Sequence, residues 1–173
     1  MTTTLTLPMS EAARRIKTDH ELLLERLEGR SPEELAAEYR LESGPLGDFC
    51  ESLHDLLAHV LMWDEIGLAV LTEARAGREH WSMDARWETP EVGRMLNRAG
   101  VMAGRELPAS LLLHRLLSTR DALLTEVQSY PESQWDAAES GVGSLAQYAM
   151  TVPGQPAYVH AALHLDELGW LTA

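Results

Sequence analysis

Apolar residues recur every three to four positions along most of the chain, and no long run alternates apolar with polar. That period predicts helices rather than strands. A first helix is expected from about Ser10 to Gly29, where Ala12, Ala13, Ile16, Leu23, Leu24 and Leu27 share one side. Ser31-Pro32-Glu33-Glu34 predicts the start of a short second helix: Ser31 caps it, Pro32 suits the first turn and Glu34 reaches back. Gly44-Pro45-Leu46-Gly47 breaks the chain before a long helix from about Asp48 to Ala76. Phe49, Leu53, Leu56, Leu57, Val60, Trp63 and Gly67 line one side of it, and Gly77 is its expected stop. Arg78–Glu88 is polar and reads as a loop, and Thr89-Pro90-Glu91 starts a helix expected to reach about Ala99. Pro108 begins a third long helix, to near Tyr130, faced by Leu112, Leu113, Leu116, Leu117, Leu123, Leu124 and Val127.

One turn is expected at Pro131–Trp135, a loop and cap at Gly141–Ser144, and a short helix from Ser144 to Met150. After a break at Val152–Pro156, a last long helix should run to about Leu171. Four long helices with short connections predict an all-α fold: an antiparallel four-helix bundle with short additional helices. A single domain is expected over residues 1–173, with 1–8 extended or disordered.

The last helix carries His160 and His164, four residues apart and about 40° apart around its axis. Leu168 and Leu171 continue their stripe, so the pair should point inward. Two packed histidines, each satisfied by a hydrogen bond, are one reading. The other is a metal site, which needs a third ligand from elsewhere. His114 reads as exposed and His80 as a loop residue, while His54 sits off the main face of its helix. Periodicity leaves His20 and His59 nearly tied for the third place. Asp64 and Arg120 each interrupt an apolar face, which a buried ion pair between them would reconcile. Cys50 lies nine residues before His59, about 180° away on a continuous helix, and reads as a small core residue.

Composition narrows the partners. Acidic residues number 27 and basic residues 14, for a net charge of −13. Such a chain repels phosphate backbones and anionic lipid, so neither nucleic acid nor a membrane surface is expected as a partner. One cysteine allows no intrachain disulfide. MTTTLTLPMS has no signal-peptide pattern, and no apolar run reaches the length of a membrane span. A cytoplasmic location follows as the expectation, and the Ala, Leu, Glu and Arg richness suggests a bacterial source.

SLHDLLAHVLMWDE, residues 52–65, resembles the DinB-like superfamily of helical bundles, and His160 and His164 match that family's C-terminal H-x-x-x-H pair. The resemblance selects His59 as the third histidine, with Trp63-Asp64 after it. It implies that His59, His160 and His164 hold one divalent metal, commonly zinc or nickel, with positions open to water, a thiol or substrate. RWETPEVGRMLNRAG, residues 86–100, and PAYVHAALHLDEL, residues 156–168, are similar to the ClbS/DfsB branch, which includes proteins that protect against reactive natural products. The founding resistance protein of that branch works without the triad that this chain carries.

The family also includes isomerases and S-transferases that use low-molecular-weight thiols such as mycothiol. The expected function is therefore a metal-dependent enzyme acting on a small electrophilic molecule by thiol transfer, isomerisation or hydrolysis. The alternative is a metal-free resistance or sequestration protein. Glu167 and Asp55 share a side with the histidines and are candidates to orient an imidazole or act as general base. Ser52, two turns before His59, is a weaker one. Trp63, Trp81, Trp87, Asn97 and Tyr158 are candidates to line a substrate pocket. No side chain stands out as a catalytic nucleophile. Apolar outer faces in such bundles often mediate dimers, so a homodimer is an expected partner state.

Overall fold

The computed structural model describes residues 6–39, 49–84, 86, 89–136, 142–150 and 158–169. These residues are all-α: there is no strand among them, only an isolated antiparallel bridge between Glu38 and Ser52. In chain order the helices are α1 (Met9–Leu27), α2 (Pro32–Ala36), α3 (Leu53–Arg75), α4 (Pro90–Arg105), α5 (Ala109–Gln128), α6 (Glu132–Trp135), α7 (Val142–Ala149) and α8 (Ala161–Glu167), with one 3-10 turn at Trp81–Met83. None of the described helices is long and apolar enough to cross a membrane. The expected breaks at 44–47 and 152–156, Trp87, and the far end of the last helix at Leu171 lie outside the described residues.

α3 is the spine, packing against α4, α5 and α7, while α1 packs against α5 and α8. The capping box of α2 forms as expected: Glu34 N–H donates to Ser31 Oγ at 3.2 Å, and Ser31 N–H donates to Glu34 Oε2 at 2.7 Å. Gly77 ends α3 at φ 69°, the left-handed region that glycine enters without a Cβ clash.

Four boundaries differ from the sequence expectation, the first being α7, which starts at Val142 within the stretch expected as loop and cap before Ser144. α3 begins at Leu53, not near Asp48, because Ser52 caps it by accepting from Asp55 N–H at 3.2 Å. Ser52 is thus committed to the cap rather than to an imidazole. Cys50 precedes the helix, so the angular argument about it fails, although it is buried in the core as expected. α4 runs on past Ala99 to Arg105 through two glycines. A Cβ at Gly104 would stand 2.1 Å from the Ala58 Cβ, and one at Gly100 would stand 2.3 Å from the Met62 Sδ. The glycines are there for close packing on α3, which outweighs their poor helix propensity of about 1 kcal/mol each. α8 is short, and His160 is its N-cap rather than an interior residue.

The apolar core falls into two clusters. One gathers Leu23, Leu27, Leu53, Leu56, Leu57, Val60, Leu112, Leu116 and Leu165; the other gathers Ala12, Ile16, Leu71, Leu123, Val127, Trp135 and Tyr158. Between them, at the changeover on each of three helices, sit three buried charged residues: Asp19 on α1, Asp64 on α3 and Arg120 on α5.

Candidate metal centre

His59 is one turn and a half into α3, surrounded by the leucines that bury the start of that helix. His160 and His164 come from the opposite end of the chain, on the cap and second turn of α8. All three are buried. His59 Nε2 lies 3.1 Å from His160 Nε2 and 3.1 Å from His164 Nε2. The three rings meet edge to face, with centroids 4.8 to 5.0 Å apart. Periodicity could not separate His59 from His20; the fold does, since His20 takes no part in this cluster.

Burial sets the charge state. Desolvation, with the neighbouring His164, holds His59 down at about 3, and desolvation followed by His59 and His164 lowers His160 below its ordinary value. Both rings are therefore neutral at neutral pH, and each keeps one nitrogen lone pair. His164 Nδ1 lies 3.0 Å from Glu167 Oε2. A carboxylate accepts, so Nδ1 carries the hydrogen and Nε2 faces the other two rings. Glu167 thus takes the orienting position expected of it. The Nδ1 atoms of His59 and His160 have no hydrogen-bond partner among the described residues.

Three lone pairs converging on one point repel one another unless a proton or an ion lies between them. Nitrogens sharing one ion at bonds of about 2.0–2.1 Å lie roughly 2.9–3.4 Å apart for angles between octahedral and tetrahedral. The distances from His59 to each of the other two rings fall in that range, and the cluster could hold a metal ion.

The other candidates divide. Asp55 is not an imidazole partner. Its carboxylate accepts from Arg105 Nε at 2.9 Å, from Arg105 Nη2 at 2.7 Å and from Glu51 N–H at 2.9 Å, which ties the start of α3 to the end of α4. Trp63 Nε1 donates to Asn97 Oδ1 at 2.8 Å, so these two pocket candidates pair with each other across α3 and α4. Trp81 is largely exposed. Tyr158 is fully buried, donates its hydroxyl to the Gly143 carbonyl at 2.6 Å and stacks on Trp135. Its φ of 61° is costly for a side chain of this size and sits two residues before a ligand candidate.

The ion pair that would reconcile Asp64 with Arg120 is present, with Nε to Oδ2 at 2.6 Å. The pair has a third member that the sequence analysis does not include: Arg120 Nη2 also donates to Asp19 Oδ2 at 3.2 Å. The signal was available, because Asp19 interrupts an apolar face between Ile16 and Leu23 just as Asp64 and Arg120 interrupt theirs.

Compared with protein-family models, curated proteins and solved structures, the chain matches none of them.

Proposed function

We propose that the chain is a DinB-like four-helix bundle that holds one divalent ion, zinc or nickel, at His59, His160 and His164. On this reading it acts on a small electrophilic molecule by thiol transfer, isomerisation or hydrolysis. The observation that carries the reading is the convergence of three buried Nε2 atoms on one point. A closed structural site would bring a fourth protein ligand, and none joins the three among the described residues.

When bound, such an ion supplies Lewis acidity and lowers the pKa of a water or thiol in its open position. The residues do the rest. Burial keeps His59 and His160 neutral, so they offer lone pairs without first losing protons. Glu167 fixes the His164 tautomer from Nδ1. Its side chain is 35% exposed while the ring it holds is buried, so Glu167 links the buried ring to the solvent edge. The net charge of −13 suits a neutral electrophile better than a polyanion.

The test is elemental analysis of untagged protein purified without chelator, beside the His59→Ala, His160→Ala and His164→Ala variants. Near-stoichiometric zinc or nickel in the wild type, lost in each variant, is the expected result. It would lead to turnover assays with a low-molecular-weight thiol and an activated alkene. No metal after reconstitution would overturn the reading and leave a metal-free binding protein.

A further inference from the structure

The segment that supplies two of the three histidines has little support of its own. α8 has seven residues, too few to stand alone, and its cap offers no side-chain hydrogen bond. Its first-turn N–H groups are instead met by a residue more than 140 positions earlier. Asp19 Oδ1 accepts from His160 N–H at 3.2 Å and from Ala162 N–H at 2.7 Å, and Asp19 Oδ2 accepts from Ala161 N–H at 3.2 Å. A carboxylate taking three backbone N–H bonds at a helix start satisfies orphan donors and complements the helix dipole.

Asp19 is itself held. Arg120 Nη2 donates to its Oδ2, while Arg120 Nε donates to Asp64. All three residues are buried. One small cavity is lined by Asp19, Asp64, Arg120, Tyr158 and His160, so the charged cluster and a ligand ring border the same space. Arg120 Nη1 and His160 Nδ1, one atom from each side, lack partners among the described residues.

We propose that Asp19 is the positioning residue of the metal centre: it seats the His160–His164 segment, and Arg120 and Asp64 hold its carboxylate in register. The proposal rests on reading the triad as a metal site. A shift of this one segment moves two ligands together relative to His59, so the tether governs whether three Nε2 atoms meet at all. Two carboxylates against one guanidinium also leave a negative charge beside the ligands, the sign that favours a cation.

Amide hydrogen exchange and metal titration of the full chain test it together. In the wild type, the amides of His160, Ala161 and Ala162 should be protected, although the first N–H groups of a short helix ordinarily exchange freely. In Asp19→Asn, which keeps the shape and loses the charge, these amides and that of His164 should exchange about tenfold faster or more. Cobalt, used as a spectroscopic probe, should bind about 10- to 100-fold more weakly, with an altered visible spectrum. Asp64→Asn disturbs the same buried cluster but leaves the three backbone bonds, so it should move those amides and that spectrum less.

Wild-type amides at His160–Ala162 that exchange like open chain would overturn the proposal, as would a folded Asp19→Asn with unchanged exchange and cobalt binding. If Asp19→Asn does not fold, the wild-type amide pattern decides alone. If the wild type binds no metal, the metal reading fails, and the amides still decide whether Asp19 seats the segment.

Discussion

Two buried polar clusters lie side by side, and they solve the problem of burial in opposite ways. Asp19, Asp64 and Arg120 are charged and answer one another: the guanidinium donates to both carboxylates, and Asp19 spends its remaining capacity on backbone N–H groups. His59, His160 and His164 are three imidazoles whose Nε2 atoms face each other, with one ring oriented by a carboxylate and two without an outer partner among the described residues. The first cluster is close to complete within the chain. The second could hold a metal ion at its centre. The charged group is therefore read as architecture, and the histidines as the site it supports.

That contrast breaks most visibly if the guanidinium is removed. Arg120→Met leaves two buried carboxylates facing each other, and stability should fall by about 3–5 kcal/mol in chemical denaturation. Pairing it with Asp64→Leu should recover part of that loss, because an unpaired buried charge costs more than an absent pair. A double mutant no better than Arg120→Met would mean that the ion pair is not what holds this layer.

The histidine cluster should respond to ions rather than to its own pairing. Zinc at about a hundredfold over its dissociation constant should stabilise the wild type by about 2.7 kcal/mol and leave His164→Ala unmoved. Equal stabilisation of both proteins would place the ion elsewhere and dissolve the contrast between the clusters.

Much of this was legible in the sequence, for reasons that also explain what was not. The α2 capping box, the Gly77 stop, the exposure of His114 and the Asp64–Arg120 pair are local or single-helix patterns, and the chain carries them as written. The length of α4 was hidden because Gly100 and Gly104 read as breakers until the neighbouring helix is known; their reason lies in Met62 and Ala58. The choice between His20 and His59 could not be made from periodicity, since both occupy plausible helix faces and only the packing of α3 against the C-terminal segment separates them. Asp55 was misassigned for a similar reason: its position one turn from His59 is real, but Arg105, fifty residues away, takes its carboxylate.

Acid should reach both clusters over the same range, with opposite signs: desolvation raises the folded pKa of Asp64 to about 6, so its proton uptake below that value offsets part of the stability that the histidines lose. In the metal-free protein, burial holds the folded pKa of His59 at about 3 and that of His160 below the ordinary 6.5. Below pH 6.5 the unfolded chain takes up protons that the folded chain refuses. Stability is thus fully present above about pH 6.5 and declines as pH falls through that value toward the folded pKa, by roughly 1.4 kcal/mol per pH unit for each such histidine. Urea midpoints measured between pH 7.5 and 5 on chelator-treated protein would check this. A flat profile would mean that these rings are more open to water than the fold places them.

The finest distinction concerns the one histidine that has an outer partner. In Glu167→Gln the amide oxygen can still accept from His164 Nδ1, so the ring orientation is kept while the carboxylate charge is lost. Metal affinity should therefore fall by only about tenfold, the low end for outer partners of a ligand, and stability of the metal-free protein should barely change. Glu167→Ala, which removes the acceptor as well, should cost more affinity than Glu167→Gln. If the two variants are equal, charge rather than orientation is what Glu167 supplies. If neither weakens binding, His164 needs no more support than His59 and His160, whose Nδ1 atoms have no partner among the described residues.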